Sequence, residues 1–207
     1  MTRTRSAGEQ TKRVLDFVAA GALLVVLSPV AAVVAIAVRA SMGSPVIFSQ
    51  ERVGLDGRVF VLRKFRTMRP AESSLDLESD GQRITRTGAF LRSTSLDELP
   101  SLWNVVIGDM SLVGPRPLLV PYLERYTPRQ ARRHEVRPGV TGLAQVSGRN
   151  ALSWHERLEL DVQYVDQRSL SLDLRILART LAVVLRRTGV TDSGGVSMSE
   201  FRGEVGR

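Results

Sequence analysis

A chain of 207 residues, 43% apolar and 24% charged, has the length and composition of one folded domain with a sizeable core. It has no cysteine and only two histidines, His134 and His155; this excludes a disulfide framework, a thiolate-bound metal and a cysteine nucleophile, and disfavours a histidine-rich metal site. The formal charge is +8, and every basic residue except Lys12 and Lys64 is arginine, which calls for a polyanionic partner: nucleic acid, an anionic membrane surface or a phosphorylated substrate.

Residues 1–11 read as a basic tail. From Phe17 to Val38 the chain then runs 22 residues without a charge. A straight helix of that length would cover roughly 33 Å, enough to cross a hydrocarbon core of about 30 Å. Ser28 and Pro29 interrupt the run near its midpoint. Proline removes one backbone hydrogen bond and clashes with the preceding turn, while a serine hydroxyl can satisfy the carbonyl that is freed. Basic residues flank both ends: Lys12 and Arg13 before the run, Arg39 after it. Since such residues favour the cytoplasmic side, the pattern favours a re-entrant helix–break–helix over residues 12–40, entering and leaving one leaflet. A single crossing and a cleaved signal segment are the alternatives; the apolar run is longer than the usual signal core of about 7–15 residues.

Downstream, Val46-Ile47-Phe48 and Val59-Phe60-Val61-Leu62 flank a Gly54–Gly57 turn and predict a small β element. Residues 69–82 are polar and acidic and predict a surface loop. Leu96, Leu99, Leu102, Trp103 and Val106 recur at helical spacing. Helices are also predicted over 118–134, 152–166 and 172–187. The last carries Arg175, Arg179, Arg186 and Arg187 beside an apolar face. It suits either a membrane surface or a core with a solvated basic side. Residues 189–207 are rich in Gly and Ser and predict a disordered tail.

Four stretches could carry chemistry. In Ser95-Leu96-Asp97-Glu98-Leu99-Pro100, Ser95 and Glu98 fit a capping box, and Pro100 fits a helix start. Either way the carboxylates lie near a helix N-terminus, whose dipole would keep Asp97 ionised for work as a nucleophile or metal ligand; helix capping alone is the other reading. Arg116, bracketed by Pro115 and Pro117, sits on a stiff backbone suited to holding phosphate. The stretch 137–150 has glycines that permit close backbone approach to a ligand, and ends at Arg149. Arg63-Lys64-Phe65-Arg66 is a basic cluster at a strand end. His134 and His155 sit in unrelated settings and receive no role.

Taken in order, the motifs resemble the bacterial sugar transferase family, the monotopic phosphoglycosyl transferases, over about Lys12 to Thr188. They begin with Lys12-Arg13, Asp16 and Ser28-Pro29, then Ser44-Pro45-Val46 with Gln50, Arg52 and Gly54, and Lys64-Phe65-Arg66-Thr67-Met68. Arg83 to Arg86, Leu91-Arg92, the Asp97-Glu98 stretch, Trp103-Asn104, Gly108 to Pro117 and Arg137 to Gly142 follow. Tyr164, Ser169, Asp173 and Thr180 close the series. Ile107, Ser101 and Arg168 depart from the common pattern, away from the carboxylate pair.

The resemblance implies an α+β fold: a re-entrant membrane helix with a Ser-Pro break, a small β element and amphipathic interfacial helices around a compact catalytic domain over 41–188. It implies transfer of sugar-1-phosphate from a UDP-sugar to polyprenol phosphate (undecaprenyl phosphate), with release of UMP, as the first membrane step of glycoconjugate or exopolysaccharide assembly. Asp97 would be the nucleophile, forming a covalent phosphosugar–aspartate, with Mg²⁺ at Asp97 and Glu98. Phosphate contacts are expected from Arg116 and Arg149, then Arg92, Lys64 and Arg66. The expected location is the bacterial inner membrane, on anionic lipid with the catalytic domain facing the cytoplasm; a homodimer is compatible with this. Nucleic acid is not an expected partner, because only 5% of residues are aromatic and no recognition motif is present. From another class, a basic membrane-anchored adaptor without catalysis would have no need of Asp97.

Overall fold

The computed structural model describes residues 7–70, 83–148, 152–186 and 200–203. Helix α1 runs Ala7–Val26 and α2 runs Ser28–Met42. The first helix thus starts inside the stretch expected to be a tail. Pro29 sits at the start of α2 and cannot donate to the carbonyl of Val25. The Ser28 hydroxyl takes that carbonyl instead, at 2.7 Å. The helices meet at a bend of 62°. Among the described residues no single helix is long and apolar enough to cross a membrane; only the bent pair together has the required length and composition.

Strands β1 (Ile47–Val53) and β2 (Val59–Phe65) pair antiparallel, with Val53 opposite Val59 and Ile47 opposite Phe65. Helices α3 (Arg86–Thr94) and α4 (Ser101–Ile107) follow, separated by a short 3₁₀ turn, Leu96–Glu98. Strand β3 (Ser111–Val113) pairs in parallel with β4 (Gly139–Thr141). The helix expected over 118–134 is broken into pieces: a 3₁₀ run Val120–Arg125, α5 (Pro128–Ala131) and a second 3₁₀ run Arg132–Glu135. Pro121 and Pro128 lack the N–H groups a continuous helix needs. Thr127 and Gln130 restart the chain with a reciprocal cap. The chain continues with α6 (Leu143–Ser147), α7 (Trp154–Gln167) and α8 (Leu170–Arg186). The mixed fold is α+β, as expected from the sequence.

The core has several linked parts. Ala20 of α1 packs with Leu62, Leu102, Val105 and Met110. Val34 and Val38 of α2 pack with Phe65 and Leu91. Each such buried valine or leucine contributes roughly 1.5–3 kcal/mol, so the helix pair is integral to the fold. Its other face stays bare: Val25, Val26 and Ile36 are 70% or more exposed. On the far side, Val113, Val136, Tyr164 and Ile176 join β3 to α7 and α8.

The expected disordered tail needs a correction at residues 200–203. Phe201 is 3% exposed, with its ring 5.3–5.6 Å from those of Tyr122, Tyr126 and Trp154. An aromatic residue can dock a Gly/Ser-rich segment where composition alone predicts none. Of the polar and acidic stretch 69–82, read as a surface loop, residues 71–82 lie outside the described residues.

Candidate active site

The two carboxylates sit on the 3₁₀ turn between α3 and α4. No capping box forms. Ser95 adopts a left-handed conformation (φ 57°, ψ 16°) and its side chain caps nothing. A non-glycine residue held there costs on the order of 1–3 kcal/mol, and such strain is common where chemistry dictates the geometry. The kink presents Asp97 and Glu98 just before α4, whose start at Ser101 after Pro100 agrees with the sequence reading.

The carboxylates have opposite surroundings. Glu98 Oε1 accepts from Lys64 Nζ at 2.5 Å and from Arg116 Nη2 at 3.1 Å. Asp97 is 9% exposed, and among the described residues its carboxylate accepts no hydrogen bond. Their acidities part accordingly. Despite its burial, Glu98 is held to about 2 by the Lys64 and Arg116 charges and their hydrogen bonds. Asp97 is pushed up to about 6, first by burial and then by the neighbouring Glu98 charge, with Lys64, Arg116 and Arg92 opposing. This corrects the expectation that a helix dipole would dominate: desolvation and a like charge outweigh it. Lys64 is lowered by burial, against the pull of Glu98.

Each partner is held from behind. Asn104, fully buried on α4, donates to the Val61 carbonyl at 2.8 Å and accepts from the Arg63 N–H at 3.2 Å. Ser101 donates to the Arg63 carbonyl at 3.0 Å. These bonds fix β2, and with it Lys64, against the helix that follows the carboxylates. On the opposite wall, Gly139 and Gly142 admit backbone in place of ligand. A Cβ on either would lie 2.1–2.2 Å from Gly114 main-chain atoms. The glycines read as allowing ligand approach thus bring β4 against Gly114, whose N–H donates to the Thr141 carbonyl at 2.9 Å. That pins the backbone leading into Arg116.

Of the expected site residues, Asp97, Glu98, Lys64 and Arg116 come together. Arg92 lies close enough for its charge to pull the Asp97 pKa down, against burial and Glu98, while its guanidinium donates to Thr67 Oγ1 at 3.0 Å. Arg66 is placed elsewhere: it is 7% exposed and donates to the carbonyls of Met42, Gly43 (2.8 Å) and Ser44 (3.1 Å). It closes the negative end of α2 and is spent on that, not on phosphate. Arg149 lies outside the described residues. His134 is buried beside the Gly54 carbonyl and depressed to about 4, chiefly by burial, so it stays neutral.

Sequence reasoning missed the support. Arg133 and Asp161, each 2% exposed, pair at 2.7 Å, and Arg133 Nη2 also donates to the Arg116 carbonyl at 2.6 Å. Arg13 donates to the carbonyls of Val105 (2.5 Å) and Val106 (2.7 Å). Lys12 pairs with Asp173 at 2.7 Å, and Ser111 donates to Asp16 at 2.7 Å. Lys12, Arg13, Asp16 and Asp173 are all among the resembling motifs; a charged residue inside an otherwise apolar helical face was the available signal.

Among the described residues no three acidic or histidine side chains gather as a closed metal cage. Asp97 and Glu98 instead offer two hard oxygen groups, one of them unpaired. That suits magnesium, which binds through one or two carboxylates plus substrate phosphates. A cleft of about 390 Å³ between Trp154, His155 and Phe201 contains neither carboxylate.

A family model described as bacterial sugar transferase matches residues 7–187. The chain is 50% identical over 193 residues to the "uncharacterized sugar transferase EpsL" of Bacillus subtilis, covering 93% of this chain and 96% of that one. It is 45% identical to the "galactosyl transferase CpsE" of Streptococcus agalactiae, over 71% of this chain and 36% of that one. It is 40% identical to a Caulobacter vibrioides "UDP-glucose:undecaprenyl-phosphate glucose-1-phosphate transferase", over 87% and 72%. The chain therefore spans nearly all of EpsL but well under half of the longer CpsE.

Proposed function

The chain belongs to the bacterial sugar transferase family, and we propose that it transfers sugar-1-phosphate from a UDP-sugar to undecaprenyl phosphate through a covalent intermediate on Asp97. The observation that carries this is the division of labour between neighbouring carboxylates. Glu98 absorbs Lys64 and Arg116 and is weakly basic. Asp97 is desolvated, unpaired by hydrogen bonds and more basic. Of the two oxygen nucleophiles, Asp97 is therefore the one poised to attack.

In the first step an Asp97 oxygen attacks the β-phosphorus of the donor. The phosphoanhydride bond breaks, its electron pair leaves with the α-phosphate, and UMP departs. Arg116 and Lys64 stand where charge grows on the transferred phosphate. In the second step a phosphate oxygen of the polyprenol phosphate attacks the same phosphorus and releases Asp97. Two steps allow the soluble donor and the lipid acceptor to come in turn. A magnesium ion held by Asp97, Glu98 and the donor phosphates would neutralise charge on the leaving phosphate.

The acceptor's lipid nature fits the bare apolar surface. Val25, Val26 and Ile36 on the bent helix pair, Leu174 and Leu181 on α8 and the half-exposed Phe90 and Trp103 face outward. The reading is a re-entrant anchor in the cytoplasmic leaflet of the bacterial inner membrane, with the site at headgroup level.

Purified protein with Mg²⁺, undecaprenyl phosphate and a panel of UDP-sugars is expected to release UMP with one or a few donors. Donor alone should add a phosphosugar mass that Asp97→Ala abolishes. No UMP with any donor, or full turnover by Asp97→Ala, refutes the proposal. Because the chain has no cysteine, single cysteines at either end of the helix pair can be labelled cleanly. Labelling from opposite sides of the membrane would refute the re-entrant topology.

A further inference from the structure

Where the bent helix pair meets the rest of the fold, the packing is incomplete. Leu24 of α1 packs on the cluster around Leu102, and Ala31 of α2 packs on the cluster around Phe65. Leu99 packs against both. Pro29 starts α2 at a 62° bend from α1, and the seam between the two clusters keeps a cleft of about 70 Å³. Leu24, Leu27 and Ala31 line it from the helix pair; Phe65, Leu99 and Pro100 line it from the catalytic side. Every side chain in its wall is apolar. Such a space gives water nothing to bond to and favours hydrocarbon.

The cleft joins the bare surface to the carboxylate turn. Val25 and Val26, 74% and 70% exposed, stand between Leu24 and Leu27 in the chain. At the other side, Leu99 and Pro100 directly follow Glu98. The N–H groups of Leu99 and Leu102 donate to carbonyls three residues back, those of Leu96 and Leu99. In this 3₁₀ winding, side chains three apart eclipse, so Pro100 lies on the same face of the turn as Asp97.

We propose that this cleft seats the first isoprene unit of the polyprenyl phosphate acceptor. This rests on the transferase reading above. An acceptor whose phosphate reaches phosphorus on Asp97 carries its first hydrocarbon unit one ester oxygen away, beside the apolar wall that starts at Leu99 and Pro100. A membrane phospholipid is a poorer occupant, because glycerol and an acyl ester separate its phosphate from its hydrocarbon.

Photolabelling of the full-length protein in nanodiscs tells the two lipids apart. One reagent is a polyprenyl phosphate with a diazirine on its first isoprene unit; the other is phosphatidylcholine with a diazirine on an acyl chain. The prenyl reagent should label residues 24–31, Phe65 or residues 99–102, and unlabelled undecaprenyl phosphate should suppress this while added phosphatidylcholine does not. Labelling of these residues by the phosphatidylcholine reagent, undiminished by undecaprenyl phosphate, places a membrane acyl chain in the cleft and overturns the proposal. So does prenyl labelling confined to other residues.

In a second arm, Ala31→Leu fills the cleft, and Ala32→Leu adds the same volume at the exposed neighbouring position. Each protein is loaded on Asp97 with donor, desalted, and titrated with undecaprenyl phosphate. Ala31→Leu should raise the acceptor KM about tenfold or more, since several acceptor carbons lose their burial, while forming the donor adduct at the wild-type rate. Ala32→Leu should match the wild type in both. An acceptor KM unchanged in Ala31→Leu, with adduct forming normally, overturns the subsite alone. Should Ala31→Leu melt below the wild type, the photolabelling, which needs no variant, decides. A wild type that forms no adduct and releases no UMP overturns the transferase reading and the subsite with it.

Discussion

Asp97→Asn is expected to stabilise the protein while abolishing adduct formation. The carboxylate is buried beside Glu98 and its pKa is raised from 3.8 to about 6. A raised folded-state value means that the native protein binds this proton more tightly than the unfolded chain. The stability it contributes is fully present below about pH 3.8 and is lost as pH rises through about 6. Above that, the ionised carboxylate costs about 3 kcal/mol, at 1.36 kcal/mol per pKa unit. Asparagine has nearly the same shape and no charge, so it recovers this penalty. For a chain of this size the gain corresponds to about 6–12 °C in Tm. Thermal unfolding of both proteins in nanodiscs at pH 7.5 and pH 5 tests it: the advantage of the variant should shrink to about half at the lower pH. An asparagine variant that is equally or less stable at pH 7.5, or an advantage independent of pH, would refute the electrostatic account of Asp97. A nucleophile that weakens its own fold is a known form of trade-off between activity and stability.

The same acidity sets a rate profile. The donor kcat/KM should fall about tenfold per pH unit below about 6, as Asp97 takes up its proton. Glu98→Gln removes the like charge and should move that acid limb to lower pH, even as the loss of the Lys64 and Arg116 partner slows the reaction. Arg133→Ala should cost about 3–5 kcal/mol in unfolding free energy, because Asp161 is left buried without its cation. Arg133→Met paired with Asp161→Leu should restore much of that stability in the same melts. Gly142→Ala places a Cβ 2.2 Å from the Gly114 carbonyl oxygen; it should cost about 3 kcal/mol or more and raise the donor KM, as steady-state kinetics would read, by displacing the backbone that carries Arg116.

What could be read in the sequence was local. The Ser28-Pro29 break is visible because proline's missing donor and serine's spare hydroxyl act within one turn, and the structure uses both on the Val25 carbonyl. The β1–β2 hairpin is visible as two apolar runs about a turn. What escaped depends on distance in the chain. Arg66 and Lys64 are two residues apart and look equivalent, yet one closes the end of α2 and the other meets Glu98. Only the three-dimensional position of those helix carbonyls separates them. Pro121 and Pro128 are local signals against the continuous helix expected over 118–134, since neither has an N–H to give it. Ser95 shows the converse: the spacing of a capping box is present, but the left-handed turn takes its side chain out of reach. Phe201 is one aromatic in a polar tail, and nothing local indicates that Tyr122, Tyr126 and Trp154 await it.

The arrangement of α1 explains why the helix pair and the site are built as one piece. Lys12, Arg13 and Asp16 fall within a little over one turn, and each reaches a different part of the site's frame. Arg13 binds the last carbonyls of α4, the helix that follows Asp97 and Glu98. Asp16 accepts from Ser111 and from the Leu112 N–H at the start of the strand that leads to Arg116. Lys12 reaches Asp173 on α8, which also accepts from the Tyr164 hydroxyl on α7. One helical face thus sets the position of the carboxylate turn and of the arginine strand relative to each other. The contact most exposed to any error in that setting is Arg116 to Glu98, at 3.1 Å. If it lengthens, Glu98 loses a cation and Asp97 loses one of the charges that keep its oxygens ionised near neutral pH. The position of the helix pair is therefore an input to the chemistry of Asp97, transmitted through charge-assisted hydrogen bonds to rigid backbone.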